Sequence, residues 1–300
     1  MAPEIVECVP NFSEGRRKEV VDAIAAAISS VQGTKLLDVE MDANHNRAVV
    51  SFIGARKAVA EAAFLGARKA VELIDLNVHR GEHPRIGALD VCPLIPISGV
   101  TMEECVAVAR ALGERIAREL KVPVYLYEEA ATRPDRKALP DIRRGEFEGL
   151  REAVRTDPSR APDFGAAELH PTAGASVVGA RAPLIAFNVN LGTPDVNVAK
   201  KIATAVRESS GGLKYVRAKG FALKDRGIVQ VSMNMINYKG TPLFRAYELI
   251  KAEAERHGVP IIGSEIVGLV PLEAIVDAAD FYLKLENFKV NQILETRLWD

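Results

Sequence analysis

The order of secondary structure that the hydrophobic pattern predicts is the strongest constraint on what this chain can fold into. Short runs rich in β-branched residues alternate with longer segments whose apolar residues recur every three to four positions. Both halves of the 300-residue chain give the order strand, helix, strand, strand, helix, strand. This order predicts a layered fold of the α+β class, and its repetition predicts two ferredoxin-like subdomains that divide near residues 181–183.

The predicted elements are placed by apolar period and by turn signals. In the first half the strands are 4–9, 35–40, 47–53, 87–97 and 124–127, and the helices are 15–30, 55–74 and 101–121. In the second half the strands are 184–190, 221–223, 228–235 and one within 260–270, and helices begin near Thr193, Thr241 and Pro271. Between the two sets, residues 128–165 are rich in prolines and charges, which predicts surface loops with a short helix.

The charge balance and the cysteine content exclude several classes of protein. With 39 basic and 40 acidic residues the formal net charge is −1, whereas a general nucleic-acid-binding protein normally carries a basic excess. Cys8, Cys92 and Cys105 are too few and too scattered for a disulfide framework, which indicates a reducing cytoplasm. The amino terminus has no apolar signal region, and no run of eighteen apolar residues lacks a charge. We therefore expect a soluble cytoplasmic protein that binds neither nucleic acid nor a membrane.

The segment 79–90, HRGEHPRIGALD, concentrates ionisable side chains in a predicted loop. His79 and His83 are four residues apart, a spacing that on a helix would place both on one face as zinc ligands. Gly81 and Pro84 make a continuous helix there unfavourable. The spacing therefore predicts no metal site.

Two interpretations of His83 stay open from the residues alone. A single histidine in a loop is commonly a surface residue or a contact that fixes the loop. Glu82 and Arg85, on either side of it, are charges that would set its tautomer and bring its pKa near neutrality, as a general base requires. The second interpretation makes His83 a candidate catalytic residue.

A second polar cluster, 38–47 (DVEMDANHNR), lies at the tip of the first predicted strand pair. It combines carboxylates with His45 and Arg47, and an arginine can bind a substrate carboxylate with two parallel hydrogen bonds. The alternative is a solvated hairpin loop, since turn residues are polar for backbone reasons. The spacing lacks the central glycine and terminal glutamate of a calcium-binding loop.

Two further segments are less specific. Glycines and other small residues in 163–181 would let the backbone pass close to a flat or anionic ligand, although a plain linker has the same composition. Its glycine spacing matches no dinucleotide- or phosphate-binding motif. In VPNFSEG, 9–15, Ser13 is most simply interpreted as a helix cap.

Taken together and in order, these segments resemble the glutamate formimidoyltransferase family, the formiminotransferase domain family of formimidoyltransferase-cyclodeaminase. The resemblance runs from about residue 5 to residue 285, and its most specific stretches are VPNFSEG and GEHPR. The stretches that carry it are VPNFSEG (9–15), GEHPRIGALDVCP (81–93), MEEC (102–105), VPVYLYEEA (122–130), DFG (163–165) and GARAPLIAFNVNL (179–191).

The resemblance implies an activity and a domain organisation. Members of the family transfer the formimino group from N-formimino-L-glutamate to tetrahydrofolate, giving 5-formiminotetrahydrofolate and L-glutamate in histidine degradation. The fold it implies is two α/β subdomains, here 1–182 and 183–300, with sheets packed face to face, helices outside and a charged tunnel between. It further implies tetrahydrofolate as co-substrate, no metal and a homodimer. Because the chain ends at Asp300, we expect a separate cyclodeaminase to act on the product.

The resemblance also assigns residues. It gives His83 the acid-base role, and it gives folate contact to the glycine-containing segment, which comprises Gly165, Ala166, Ala167, Glu168, Leu169, His170, Pro171, Thr172, Ala173 and Gly174. Both substrates carry carboxylates, and as our own hypothesis Arg47, Arg85 and Arg181 are candidates to bind them. Glu82 or Glu40 is a candidate to bias His83.

Three other functions stay open at the level of sequence. The first is formyl transfer from N-formylglutamate to tetrahydrofolate, since no residue pattern separates an amide carbon from an amidine carbon. The second is a non-catalytic folate-binding protein. The third is a metal-dependent hydrolase using His45, His79 and His83.

Overall fold

The computed structural model describes residues 3–298, and its backbone divides into two compact units, Met1–Arg181 and Ala182–Asp300. Each unit has its own sheet and its own apolar core, and each is described separately. In the described residues no helix is both long and apolar enough to cross a membrane.

The first unit is a ferredoxin-like arrangement with additional elements at its end. Its elements are β1 Ile5–Cys8, β2 Asn11–Phe12, α1 Lys18–Ser29, β3 Thr34–Asp42, β4 Arg47–Gly54, α2 Arg56–Leu73, β5 Leu89–Ser98, α3 Met102–Leu120, β6 Val124–Glu128, α4 Leu139–Ile142, α5 Glu146–Thr156 and β7 Ser176–Ala180. Across the sheet the strands run β3, β4, then β1 and β2, then β5, β7 and β6. Pairing is antiparallel up to β5, whereas β7 is parallel to both β5 and β6.

The helices of the first unit form because one face of each can be buried. On α1 the residues Val20, Ile24 and Ile28 are buried, and this spacing is that of a helix stripe facing a core. The start of α3 has the predicted capping box: Thr101 accepts from the Glu104 amide, and the Glu104 carboxylate accepts from the Thr101 amide. The apolar stripes and caps therefore determine these helices locally.

The second unit has the complete ferredoxin-like topology. Its elements are β8 Ile185–Leu191, α6 Val196–Val206, β9 Val216–Leu223, β10 Ile228–Met235, α7 Leu243–Arg256, β11 Ile261–Val267 and α8 Leu272–Leu283. The sheet order is β11, β8, β10, β9, and all these pairs are antiparallel. The core lies on one face of the sheet, where alternate residues of β8 and β10 pack against α6 and α7.

The structure confirms the α+β class and the two α/β subdomains, and it corrects some elements. The strand predicted at 221–223 begins earlier, at Val216. The prediction was too short because the core-facing residues before 221 include Ala218, and alanine is only a weak apolar signal. Part of the segment that also fitted a linker, 176–180, is the buried strand β7. Its run of small residues is too short to identify without the parallel neighbours that pair with it. Face-to-face packing of the two sheets stays a prediction.

Candidate active site

Asn46 joins three of the segments that the sequence singled out. Its Oδ1 accepts from the Gly15 amide at 2.9 Å, and its Nδ2 donates to the Arg80 carbonyl at 3.0 Å. Its own carbonyl lies 2.8 Å from Nε2 of His79. Asn46 is buried and has φ 49°, a left-handed conformation that asparagine tolerates better than most residues. The hairpin between β3 and β4 is thereby fixed to the VPNFSEG segment and to the loop that carries the histidines.

This arrangement predicts that Asn46→Ala destabilises the first unit by about 2 to 4 kcal/mol, because buried partners lose hydrogen bonds and alanine is disfavoured at positive φ. Thermal or denaturant unfolding measures the effect. Asn44→Ala is the matched control, since Asn44 is exposed in the same turn and its side chain makes no hydrogen bond in residues 3–298. Equal stability of the two variants would contradict the role assigned to Asn46.

The VPNFSEG segment attaches to the far end of the histidine loop. Ser13 Oγ donates to the Gly87 carbonyl at 2.7 Å, and the Ser13 amide donates to the Ala88 carbonyl at 3.0 Å. The interpretation of Ser13 as a helix cap is therefore wrong. The Ser13 hydroxyl instead donates to a carbonyl that is distant in the sequence, and a local sequence pattern does not reveal such a partner.

Glu14, rather than Ser13, binds backbone amides ahead of α1, whose N-cap residue Arg17 has no side-chain cap. Its Oε1 accepts from the amides of Arg16 and Arg17, both at 2.9 Å, just before α1 begins. Burial acts to raise the pKa of Glu14, but the amides of Arg17 and Arg16 outweigh it, and the pKa is lowered. A carboxylate is well suited to the positive end of a helix.

His83 is half-buried and surrounded by positive potential. Its ring makes an edge contact with His45, with centroids 6.4 Å apart and planes at 70°. Burial, followed by the charges of Arg143 and Arg47 and then by His45 and His79, lowers the pKa of His83 to about 2. The imidazole is therefore neutral at physiological pH, and it is a weak base unless a bound anion offsets the nearby arginines.

The expectation that Glu82 and Arg85 bring the pKa of His83 near neutrality is wrong. Arg85 is buried and its guanidinium is already paired, with Glu146 at 3.0 Å and with both oxygens of Glu148 at 2.7 Å. Glu82 is exposed and is not among the main influences on the histidine. Burial, followed by arginines from elsewhere in the chain, lowers the pKa of His83.

His79 has a structural contact at each ring nitrogen. Arg85 Nε donates to Nδ1 at 3.2 Å, so Nε2 carries the proton and donates to the Asn46 carbonyl. Burial is the main cause that lowers its pKa. No cluster of three or more potential metal-ligating side chains is present in residues 3–298.

Arg47 and Arg143 supply the positive charges near His83, and Asp90 is the carboxylate that pairs with Arg143. Arg143 pairs with Oδ2 of Asp90, whose Oδ1 accepts from the Ile86 amide at 2.8 Å. The Nε atoms of Arg47 and Arg143 are buried and make no hydrogen bond in the described part of the chain. Burial, and then the charge of Arg143, lower the pKa of Arg47. Asp42, Asp90 and Glu40 act on Arg47, so the two guanidinium groups lie among carboxylates, and their unpartnered Nε groups are the donors left for an anion.

Arg143 was not predicted from the sequence. It comes directly after α4, within a stretch predicted as surface loop, and its neighbour Arg144 is exposed. The two arginines are indistinguishable by pattern. Only the fold, which buries one of them against Asp90, separates them.

The glycine-containing segment pairs with the chain just after His83. The Ala88 amide donates to the Ala173 carbonyl and the Ala175 amide donates to the Ile86 carbonyl, both at 2.9 Å. A Cβ at Gly87 would lie only 1.8 Å from the Ala175 carbonyl oxygen, so no other residue permits this approach. The histidine loop and the glycine segment are therefore adjacent.

The rest of that segment divides into an exposed and a fixed part. Its exposed members are Gly165, Ala166, Ala167, Glu168 and Pro171. The fixed part is held by His170, whose Nδ1 accepts hydrogen bonds from the Thr172 and Ala173 amides at 3.3 and 3.0 Å. Leu169 is buried. Glu168 pairs with Arg155.

The remaining candidates lie apart from this cluster or at its edge. Glu40 is half-buried on β3, and its charge acts on Arg47. Arg181 follows β7, and its charge acts on Glu7 and Tyr127. The structure thus places Arg47 near His83 and pairs residues 86–88 with the end of the glycine segment, whereas Arg85 is occupied by glutamates of its own unit.

Comparison with known proteins places this two-subdomain α+β protein in a class. A family model described as the formiminotransferase domain, N-terminal subdomain, matches residues 5–181, and one described as the formiminotransferase domain matches 186–297. The chain belongs to the formiminotransferase domain family, as the resemblance had indicated.

Curated relatives agree over nearly the whole chain. A glutamate formimidoyltransferase of Streptococcus pyogenes serotype M1 is 50% identical over 98% of this chain and 99% of its own length. Another, from Thermoplasma acidophilum, is 51% identical over 98% of this chain and 97% of its own. A formimidoyltransferase-cyclodeaminase of Rattus norvegicus is 48% identical over 96% of this chain but only 54% of its own length. The relatives thus include both single-activity and two-activity proteins by name.

Proposed function

We propose that this protein is a transferase that moves the formimino group from N-formimino-L-glutamate to tetrahydrofolate, giving 5-formiminotetrahydrofolate and L-glutamate in histidine degradation. Membership of the formiminotransferase family and about 50% identity to proteins named for this activity support it. The observation that carries the proposal at the level of residues is the pairing of 86–88 with 173–175, which sets the His83 loop beside the glycine segment.

In this proposal His83 moves the proton. A secondary amine of the reduced pteridine attacks the amidine carbon of the donor, and the new N–C bond forms as that carbon becomes tetrahedral. His83, neutral at physiological pH, takes the proton from the attacking amine. It then gives that proton to the glutamate nitrogen as the old C–N bond breaks, so the imidazole ends in its starting form.

Arg47 and Arg143 supply the second part of the chemistry. Their buried, unpartnered Nε groups are donors for a substrate carboxylate close to His83. We assign this binding to Arg47 and Arg143 rather than to Arg85, whose guanidinium is already bound by Glu146 and Glu148. A carboxylate there would offset the arginine charges and raise the pKa of His83 toward its ordinary value, which would let the ring hold the proton in transit.

Folate binding is proposed for the segment from Gly165 to Gly174. Its exposed first half presents backbone with small side chains, which suits contact with a flat ring system. Glu40, whose charge acts on Arg47, is proposed to orient that guanidinium. Further proposals are a homodimer and a cytoplasmic location.

The proposal is tested with purified protein, tetrahydrofolate and each of two donors in a spectrophotometric assay. We expect turnover with formiminoglutamate and much less with N-formylglutamate, and no effect of a chelator. Preference for the formyl donor would contradict the assignment of donor, and binding of folate without any turnover would contradict the assignment as an enzyme.

A further inference from the structure

The sheet of the second unit carries polar side chains on the face opposite its apolar core. On β8, Asn188 and Asn190 alternate with the core residues Phe187 and Val189, so their side chains leave the other face. Gln230 has the same relation to its core neighbours on β10. The three amides are only 8%, 5% and 7% exposed, so each unsatisfied polar atom among them carries an energetic cost.

Two of these amides converge on one carboxylate, and the third contacts one of the two. Asn188 Nδ2 donates to Oε1 of Glu265 at 3.1 Å, and Gln230 Nε2 donates to the same oxygen at 2.8 Å. Gln230 Nε2 also lies 2.9 Å from Oδ1 of Asn190, its cross-strand neighbour. Glu265 is itself the cross-strand neighbour of Asn188 and is exposed. The strand register therefore holds one oxygen of an accessible carboxylate in a fixed position.

Two oxygens of the cluster accept no hydrogen bond from its own amides. Asn188 Oδ1 is buried and has no partner in residues 3–298, and both amides that bind Glu265 use its Oε1, which leaves Oε2 to a ligand. Rotating the Asn188 amide would not help, because its oxygen would then face the carboxylate. A ligand with N–H donors would complement the carboxylate oxygen that the amides leave unused.

We infer that Glu265 binds a planar N–C–N edge that carries two N–H donors, with Asn188 and Gln230 as positioning residues. A carboxylate matches such an edge with parallel, charge-assisted hydrogen bonds. The inference rests on the proposed function, whose substrates contain this edge twice: in the aminopyrimidinone ring of the folate and in the formimino group. Glu265 makes the contact because it is exposed, whereas Asn188 is covered.

The test is isothermal titration of the full chain with tetrahydrofolate alone and with formiminoglutamate alone, for wild type and Glu265→Gln. Glutamine can keep an oxygen toward the two amide donors, but it replaces Oε2 by an NH2 group that opposes the N–H donors of the ligand. We expect Kd for one of the two ligands to rise roughly 10- to 100-fold. The ligand that loses affinity identifies which N–C–N edge is bound.

Glu255→Gln is the matched control, because it makes the same substitution at an exposed position of α7. We expect it to bind both ligands as wild type does, and we expect all three proteins to unfold at similar temperatures. Unchanged affinity for both ligands in Glu265→Gln, or an equal loss for both, overturns the inference while the proposed function stands. A wild-type chain that binds neither ligand overturns the proposed function as well.

Discussion

Replacing His83 with alanine is expected to lower kcat by roughly 100- to 10,000-fold, the usual contribution of a positioned acid-base group. The binding of tetrahydrofolate should stay close to that of wild type, because the ring makes no hydrogen bond within residues 3–298 and so fixes little of the surrounding backbone. Steady-state kinetics gives the loss of turnover, and titration with tetrahydrofolate alone gives the binding.

Two comparisons make this result specific. His257→Ala removes an exposed histidine at the end of α7 and should leave kcat unchanged. Added imidazole should restore part of the turnover of His83→Ala, since a small base can enter the space that the side chain leaves. Parallel loss of folate binding and turnover, without rescue, would instead indicate that His83 holds the loop in place.

The second large effect is expected from Arg47→Gln. Loss of a charged hydrogen-bond donor should raise KM for a carboxylate substrate roughly 10- to 100-fold. Arg110→Gln, at an exposed position of α3, is the control and should change neither KM nor kcat. An unchanged KM for both substrates in Arg47→Gln would show that the carboxylates bind elsewhere.

The same variant tests the electrostatics of the site through its pH profile. Burial and the nearby arginines hold the pKa of His83 at about 2, so in wild type the neutral base persists to strongly acidic pH. Removing the charge of Arg47 should raise that pKa, and the acidic limb of kcat/KM should therefore move to higher pH. A limb that stays in place would contradict the proximity of Arg47 to His83.

Local sequence determined the parts of the fold that depend on neighbouring residues. The stripe of Val20, Ile24 and Ile28 and the capping box of Thr101 and Glu104 were visible because periodicity and caps act within a few positions. Strand β7 was not, since its identity depends on parallel partners distant in the chain. The same limit made Ser13 look like a cap when its partner was the Gly87 carbonyl.

For the site, the sequence by itself determined the family, the candidate role of His83 and the segments that would surround it. Only the tertiary structure decided which charges act on that ring: it placed Arg47 and Arg143 beside it and occupied Arg85 with glutamates. The physical reason is that a hydrogen bond or a Coulomb interaction depends on distance through space and on burial, and neither can be read from spacing along the chain.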